Sequence, residues 1–141
     1  MERDTRQRAA IRSAIETAAR PLAPHEVLDL ARTTVPQMNL ATVYRNLKAM
    51  QAEGIIAVVR LPGESARYEP NHLAHHHHFQ CDGCKRVYDI HGCTGEMLHS
   101  VPSGFLVARH ELTLYGLCDA CSPQRRALGK LRPVPSRPAT T

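Results

Sequence analysis

The sequence predicts an α+β chain, an N-terminal winged helix-turn-helix followed by a small α/β half pinned by metal. Three observations carry that expectation. Apolar residues recur at helical spacing in three segments before residue 54, and a two-stranded ribbon pattern follows them. Two Cys-x-x-Cys pairs, Cys81/Cys84 and Cys118/Cys121, then bracket the second half.

The elements follow in order. Residues 5 to 19 place Ile11, Ala14, Ile15 and Ala18 on one stripe, with Asp4 as the expected N-cap. Pro21 and Pro24 interrupt the chain, a short helix turns Val27, Leu28 and Ala31 inward, and Pro36 marks the next break. Asn39 can cap a helix bearing Leu40, Val43, Leu47 and Met50 on one face, and Gly54 stops it. Ile55 to Val59, a turn at Pro62-Gly63 and Arg67 to Glu69 form the ribbon. Past a hinge near Pro70-Asn71, Val87 to Ile90 is a short strand, Thr94 caps a small helix through His99, and Phe105 to Tyr115 is a long strand. The expected units are therefore 1–70, 71–121 and a tail, 122–141.

The helix from Leu40 turns Thr42, Tyr44, Arg45 and Lys48 to its polar side. Arg45 suits phosphate oxygens or a guanine edge, and Tyr44 offers a ring for a thymine methyl with a hydroxyl for phosphate. A solvated amphipathic helix would show the same pattern, so the helix alone leaves DNA reading open.

Charge does not decide it either. The net charge of +5 comes from the tail, which holds Arg125, Arg126, Lys130, Arg132 and Arg137 and no acid, while the rest of the chain balances. With its prolines, the tail reads as a disordered basic arm. The first residues, MERDTRQR, are charged and no apolar run follows them. No stretch approaches the about 18 consecutive apolar residues of a membrane helix. A cytoplasmic protein without a membrane partner is expected. At 141 residues and 4% aromatic content, two half-sized units would each be marginal alone. A metal staple or a second copy of the chain would help both.

Four thiolates can supply the tetrahedral soft-ligand set that Zn²⁺ takes in closed structural sites. Because 33 residues separate Cys84 from Cys118, one ion would clamp the start and the end of a segment together. Two disulfides are the alternative, but they suit an oxidising compartment and leave one of the five cysteines over. The fifth, Cys93, could be a redox thiol or an auxiliary ligand, although a small buried hydrophobe is the reading its type favours. His25 reads as a helix-surface histidine, His99 as a surface residue, and Met38, Met50 and Met97 as core filler.

His75, His76, His77 and His78 run directly toward Cys81. On a strand, alternate side chains face opposite ways, so His75 and His77 would serve one face and His76 and His78 the other. One run could feed two metal sites.

These pieces together resemble the ferric uptake regulator family of bacterial metal-dependent repressors. The matching segments are Thr5-Arg6-Gln7-Arg8, the run Ala41 to Leu47, Arg67-Tyr68-Glu69, the histidine run before Cys81, and Leu114 to Cys121. The resemblance implies a winged helix for DNA, with Arg8 among its contacts, an α/β dimerisation domain, and a homodimer on a palindromic operator. It implies structural zinc on Cys81, Cys84, Cys118 and Cys121. It assigns Glu69, His76, His78 and Asp89 to a regulatory site at the domain junction, and His75, His77, Glu96 and His110 to a second site.

One departure bears on the metal. Iron- and peroxide-sensing relatives usually offer a histidine just before the second helix, and Pro21 stands there. Zinc-sensing relatives often use a cysteine between wing and histidine run, where this chain has Asn71 and His72. A tetrahedral set from Glu69 or His72 with His76, His78 and Asp89 suits zinc, whereas an octahedral, carboxylate-rich set suits Fe²⁺ or Mn²⁺. The expectation is a zinc-uptake repressor, with an iron-, manganese- or peroxide-responsive repressor as the alternative. A zinc-dependent hydrolase is a remote third, since Glu69, Glu96 or Glu111 could act as base, but HExxH, a nucleophile elbow and a Gly-rich phosphate loop are all missing. No enzymatic activity and no small organic substrate are expected.

Overall fold

The computed structural model describes residues 2–93 and 95–122, with the side chains of Glu96 and Met97 excepted. The expected Thr94 cap and the tail from Pro123 onward lie outside the described residues.

Three helices come first: α1 (Glu2–Ala18), α2 (Pro24–Ala31) and α3 (Leu40–Ala52). Their inward stripes meet in one core of Ala10, Ile11, Ile15, Leu22, Val27, Ala31, Met38, Val43, Leu47, Met50 and Ile56. Burying a side chain such as Ile11 contributes about 1.5–3 kcal/mol, so this cluster holds the helices against their own small length. Asn39 caps α3 as expected, its side chain accepting from the Thr42 amide at 2.9 Å. Gly54 follows the C-cap with φ +76, a conformation that costs glycine little. Asp4 does not cap α1, because the helix already runs from Glu2 and Asp4 sits in its first turn.

The ribbon consists of β1 (Ile56–Val59) and β2 (Arg67–Pro70), antiparallel with Ala57 opposite Glu69. A backbone pair ties it to the helices. Leu22 donates to the Tyr68 carbonyl at 2.9 Å and Tyr68 to that of Leu22 at 2.8 Å. Whatever β2 carries is therefore fixed to the α1–α2 connection.

The second sheet has the order β4-β3-β5, from β3 (His77–Cys81), β4 (Val87–Ile90) and β5 (Thr113–Gly116). β4 runs antiparallel to β3 with Asp89 opposite His78, while β5 runs parallel with Thr113 opposite His78 and Gly116 opposite Cys81. A 3₁₀ turn, Glu96–Ser100, lies between β4 and β5. Residues 105 to 112 are not the expected strand, since β5 begins only at Thr113. A strand exists only where a partner takes its backbone groups, and among the described residues only the last of this segment pairs with the sheet, the Leu112 carbonyl accepting from the His78 amide at 3.2 Å. It leaves Phe105 and Leu106 67% and 97% exposed.

The two sheets meet through a small cluster of Val59, Leu61 and Val87. A buried relay runs beside it. Arg67 of β2 donates to Glu26 of α2 at 2.8 Å and to the Lys85 carbonyl at 2.8 Å, and Arg20 reaches the other Glu26 oxygen at 2.6 Å. No helix among the described residues is long and apolar enough to cross a membrane.

Candidate functional site

The topology of the second sheet sorts its chemistry to two ends. At the Cys81 end of β3, the chain turns through Cys84 into β4, and β5 ends beside Cys81 and delivers Cys118 and Cys121. At the other end, β4 leaves opposite His77 and β5 arrives opposite His78, so residues just after Ile90 and just before Thr113 gather around the histidine run.

The four cysteines offer sulfurs that all lie within 4.8 Å of one another. Cys84 and Cys118 are 3.9 Å apart, against about 3.8 Å for two corners of a tetrahedron with Zn–S bonds near 2.3 Å. The backbone prepares the set. The amides of Cys84 and Cys118 both point at Cys81 Sγ, at 3.4 Å each. The Cys118 and Cys84 amides hold the Cys81 thiol down at about 6, while the sulfurs of Cys118 and Cys81 push the Cys121 thiol up to about 12. A crowd of sulfurs that cannot all ionise together is what a divalent cation relieves. Gly83 is needed for the approach: a Cβ there would meet Cys121 Cβ and Sγ, each at 3.0 Å. This cluster can hold a structural zinc, and all four cysteines are free thiols.

The second group draws on both sheets. Glu69 of β2 meets His76, His78 and Asp89, again with donors within 4.8 Å. His76 Nε2 lies 2.8 Å from Glu69 Oε1 and 3.4 Å from Asp89 Oδ1, and His78 Nε2 lies 3.8 Å and 3.4 Å from the same two oxygens. His76 Nδ1 donates to the Ala74 carbonyl at 2.7 Å, which frees Nε2 toward the carboxylates. Glu69 Oε2, His78 Nε2 and Asp89 Oδ1 are buried with no hydrogen-bond partner, a costly state that a cation would resolve. The nearby carboxylates of Asp89 and then Glu69, against the opposing effect of burial, raise His78 to about 9. The pocket holds positive charge even when only a proton supplies it. Zinc, Fe²⁺ and Mn²⁺ are all chemically compatible with two imidazoles and two carboxylates.

The third group is His75, His77, Cys93 and His110. Burial, with the nearby His75 and His110, holds His77 below its ordinary value, in the neutral form that ligates metal. Glu96 was expected here, but its side chain lies outside the described ones. Cys93 was expected to be a small buried hydrophobe; it is exposed, with Sγ 3.0 Å from His110 Nε2. Register explains the miss, because only the β3–β4 pairing brings residue 93 to this end.

Other expected residues fall differently. His72 is exposed and outside the four-donor groups, lining a cleft with Asp89 and His91. Sequence reasoning passed over His91, whose ring centre is 6.2 Å from that of His76. His25 and His99 are on the surface. On α3, Tyr44, Arg45 and Lys48 are exposed, but Thr42 is 4% exposed and does not face outward. It packs beside Val43 at the first turn, its hydroxyl accepting from Arg45 at 3.2 Å. Arg8 is likewise engaged, paired through both nitrogens with Glu53 just past the end of α3.

Comparison with known proteins agrees with this architecture. Residues 2–115 match the model of the ferric uptake regulator family. The "Transcriptional regulator FurA" of Mycobacterium tuberculosis is 33% identical over 124 residues, covering 85% of this chain and 83% of that protein. The "Peroxide operon regulator" of Bacillus subtilis is 33% identical over 90 residues, covering 62% of this chain and 61% of its own length. The solved structure of a "zinc-bound manganese uptake regulator" superposes with a TM-score of 0.71 at 26% identity, covering 79% of this chain and 87% of that one.

Proposed function

This chain belongs to the ferric uptake regulator family of metal-responsive transcriptional regulators, and on that premise we propose that it is a zinc-uptake repressor. In this reading it acts in the cytoplasm, as a homodimer, on a palindromic operator. Residues 1–70 read DNA with Tyr44, Arg45 and Lys48, and residues 71–121 dimerise and hold metal.

One observation carries the reading. Glu69 stands on the wing strand β2, whereas His76, His78 and Asp89 belong to the β3–β4 sheet. The last three are preassembled, because Asp89 is the cross-strand partner of His78 and His76 lies two residues earlier. A divalent cation would supply the positive charge that lets both carboxylates converge on the imidazoles. Glu69 then ties β2, and through Leu22 and Tyr68 the helices, to the second sheet. Metal shifts the equilibrium because only the joined arrangement offers the fourth donor.

Zinc is favoured because, among the described residues, the group stops at four donors, with the buried Pro21 in place of a further ligand. Two carboxylates among the four favour the second reading, an iron- or manganese-responsive repressor, peroxide-sensitive or not. The homodimer is supported by the exposed Phe105, Leu106, Val107, Leu112, Leu114 and Tyr115 on and before β5, an edge strand of its sheet.

The test is operator binding by protein that keeps only its structural zinc, titrated with buffered Zn²⁺, Mn²⁺ and anaerobic Fe²⁺. Activation by Zn²⁺ at far lower free concentration than the other two require supports the zinc reading. Activation by Fe²⁺ or Mn²⁺ with zinc inert moves the protein to the second reading, and metal-indifferent binding rejects sensing.

A further inference from the structure

We propose that Cys93 is a metal ligand, completing with His75, His77 and His110 a site of three imidazoles and one thiolate. The three imidazoles belong to the second site that the family resemblance implies, apart from the junction group; the new element is the Cys93 thiolate as a donor there. His110 Nε2 touches each of the other donors, 3.1 Å from His75 Nε2, 3.2 Å from His77 Nε2 and 3.0 Å from Cys93 Sγ, and all four lie within 4.8 Å of one another. Nitrogen donors on a tetrahedral zinc lie about 3.3 Å apart, given Zn–N bonds near 2.0–2.1 Å. The donors thus already converge to within the spread of one coordination shell, and an ion would move Cys93 Sγ out from His110 by about half an ångström.

Three independent segments build it. His77 opens β3 and His75 lies two residues before it. Cys93 lies three residues beyond Ile90, the β4 partner of His77, and His110 lies three residues before Thr113, the β5 partner of His78. A ligand set assembled from both neighbours of a central strand depends on the fold rather than on one flexible loop. Burial grades across it, with His77 3% exposed and Cys93 and His75 open to solvent. That leaves an entry path on one side and a dry wall on the other. A neighbouring apolar cavity lined by Ile90, Leu98, Leu112 and Leu114 lowers the local dielectric.

The thiolate decides the ligand class. Three imidazoles with a carboxylate would accept Mn²⁺ or Fe²⁺ readily, while an N₃S set prefers softer ions, Zn²⁺ above all among those plentiful in cells. Binding releases the Cys93 proton, so the sulfur enters as the thiolate.

Cobalt(II) is the probe. The chain has five cysteines, and with zinc on Cys81, Cys84, Cys118 and Cys121 only Cys93 remains to give a sulfur-to-cobalt charge-transfer band. The junction group contains no sulfur. Full-length protein holding its structural zinc, titrated anaerobically with Co²⁺, is expected to develop that band without releasing zinc. Cys93→Ser and His110→Ala should each abolish it, with unchanged zinc content and melting temperature. Alkylation of Cys93, read by mass spectrometry, should be slowed at least tenfold by Co²⁺ or Zn²⁺ in the wild type but not in His110→Ala. No band at saturating Co²⁺, a band that survives Cys93→Ser, or alkylation indifferent to metal would each overturn the proposal. None of these readouts involves DNA, so their failure leaves the Glu69 reading standing. Loss of the operator response with an intact band would reject that reading alone.

Discussion

Replacing Glu69 by alanine should remove the amplitude of the metal response while leaving metal binding itself. His76, His78 and Asp89 keep their places because cross-strand pairing of His78 with Asp89 fixes them, so a cation still finds three donors. What it loses is the one donor that distinguishes joined from separated sheets, the carboxylate 2.8 Å from His76 Nε2. A ligand that binds two states equally shifts nothing, however tightly it binds. Allosteric coupling of ordinary size, about 1–3 kcal/mol, corresponds to about 5–150-fold in operator affinity. For Glu69→Ala the ratio of affinities with and without metal should fall below about twofold, because the coupling approaches zero. Asp89→Ala provides the contrast: it weakens metal binding but keeps the bridge, so its response should move to higher free metal with the amplitude retained. Fluorescence anisotropy of a labelled palindrome, at fixed salt because phosphate contacts release counterions, separates midpoint from amplitude. A Glu69→Ala protein that responds with full amplitude at a shifted midpoint would refute the argument that β2 carries the coupling donor.

Further expectations concern the scaffold. Cys84→Ser should lose structural zinc and much of its thermal stability, since apparent zinc binding in small zinc domains is worth roughly 10–16 kcal/mol. Gly83→Ala should weaken zinc retention through its clash with Cys121, both measured by elemental analysis and melting. Glu26→Ala strands the buried Arg67 guanidinium beside Arg20 and should cost about 3–5 kcal/mol in urea unfolding, far more than breaking the surface Arg8–Glu53 pair. With the junction group free of metal, His78 at about 9 stands above its usual 6.5. Its contribution to stability is fully present below pH 6.5 and disappears as pH rises through 9, and His78→Gln should flatten the melting temperature over that window. Leu106→Asp should weaken self-association in sedimentation experiments with the fold intact, because Leu106 is exposed in the single chain.

Local features were legible where the physics is local. Asn39 and Gly54 bound α3 because a cap and a left-handed stop act within one turn. The alternation of the histidine run foretold two groups, His75 with His77 and His76 with His78, because extended backbone turns neighbouring side chains apart even just before β3 begins at His77. What escaped depended on distant pairing. Cys93 reaches His110 only through the register of β4 on β3, and Arg8 is occupied by Glu53, 45 residues away. Thr42 turned inward because the first turn of α3 packs on the core, a boundary that periodicity draws to within a residue at best. Residues 105 to 112 have the composition of a strand, but among the described residues only Leu112 is paired to β3, so pattern alone overextended β5.

The three donor sets also imply an order of filling. Four thiolates, then three imidazoles with one thiolate, then two imidazoles with two carboxylates form a series of decreasing softness along a single strand and its neighbours. Zinc entering the chain is expected to satisfy the sulfur-bearing sets first, since thiolate ligands suit it best. The group with the hardest donors fills last, and it alone joins the two sheets. In the proposed reading, that arrangement separates the metal that builds the second sheet from the metal that reports on supply. The threshold of the response would then be set by Glu69, His76, His78 and Asp89, at free metal concentrations where the cysteines are already saturated. Exchanging Asp89 for cysteine should lower that threshold for Zn²⁺ and raise it for Mn²⁺. An unchanged Zn²⁺ midpoint in the operator titration would mean that donor softness at the junction does not set the response.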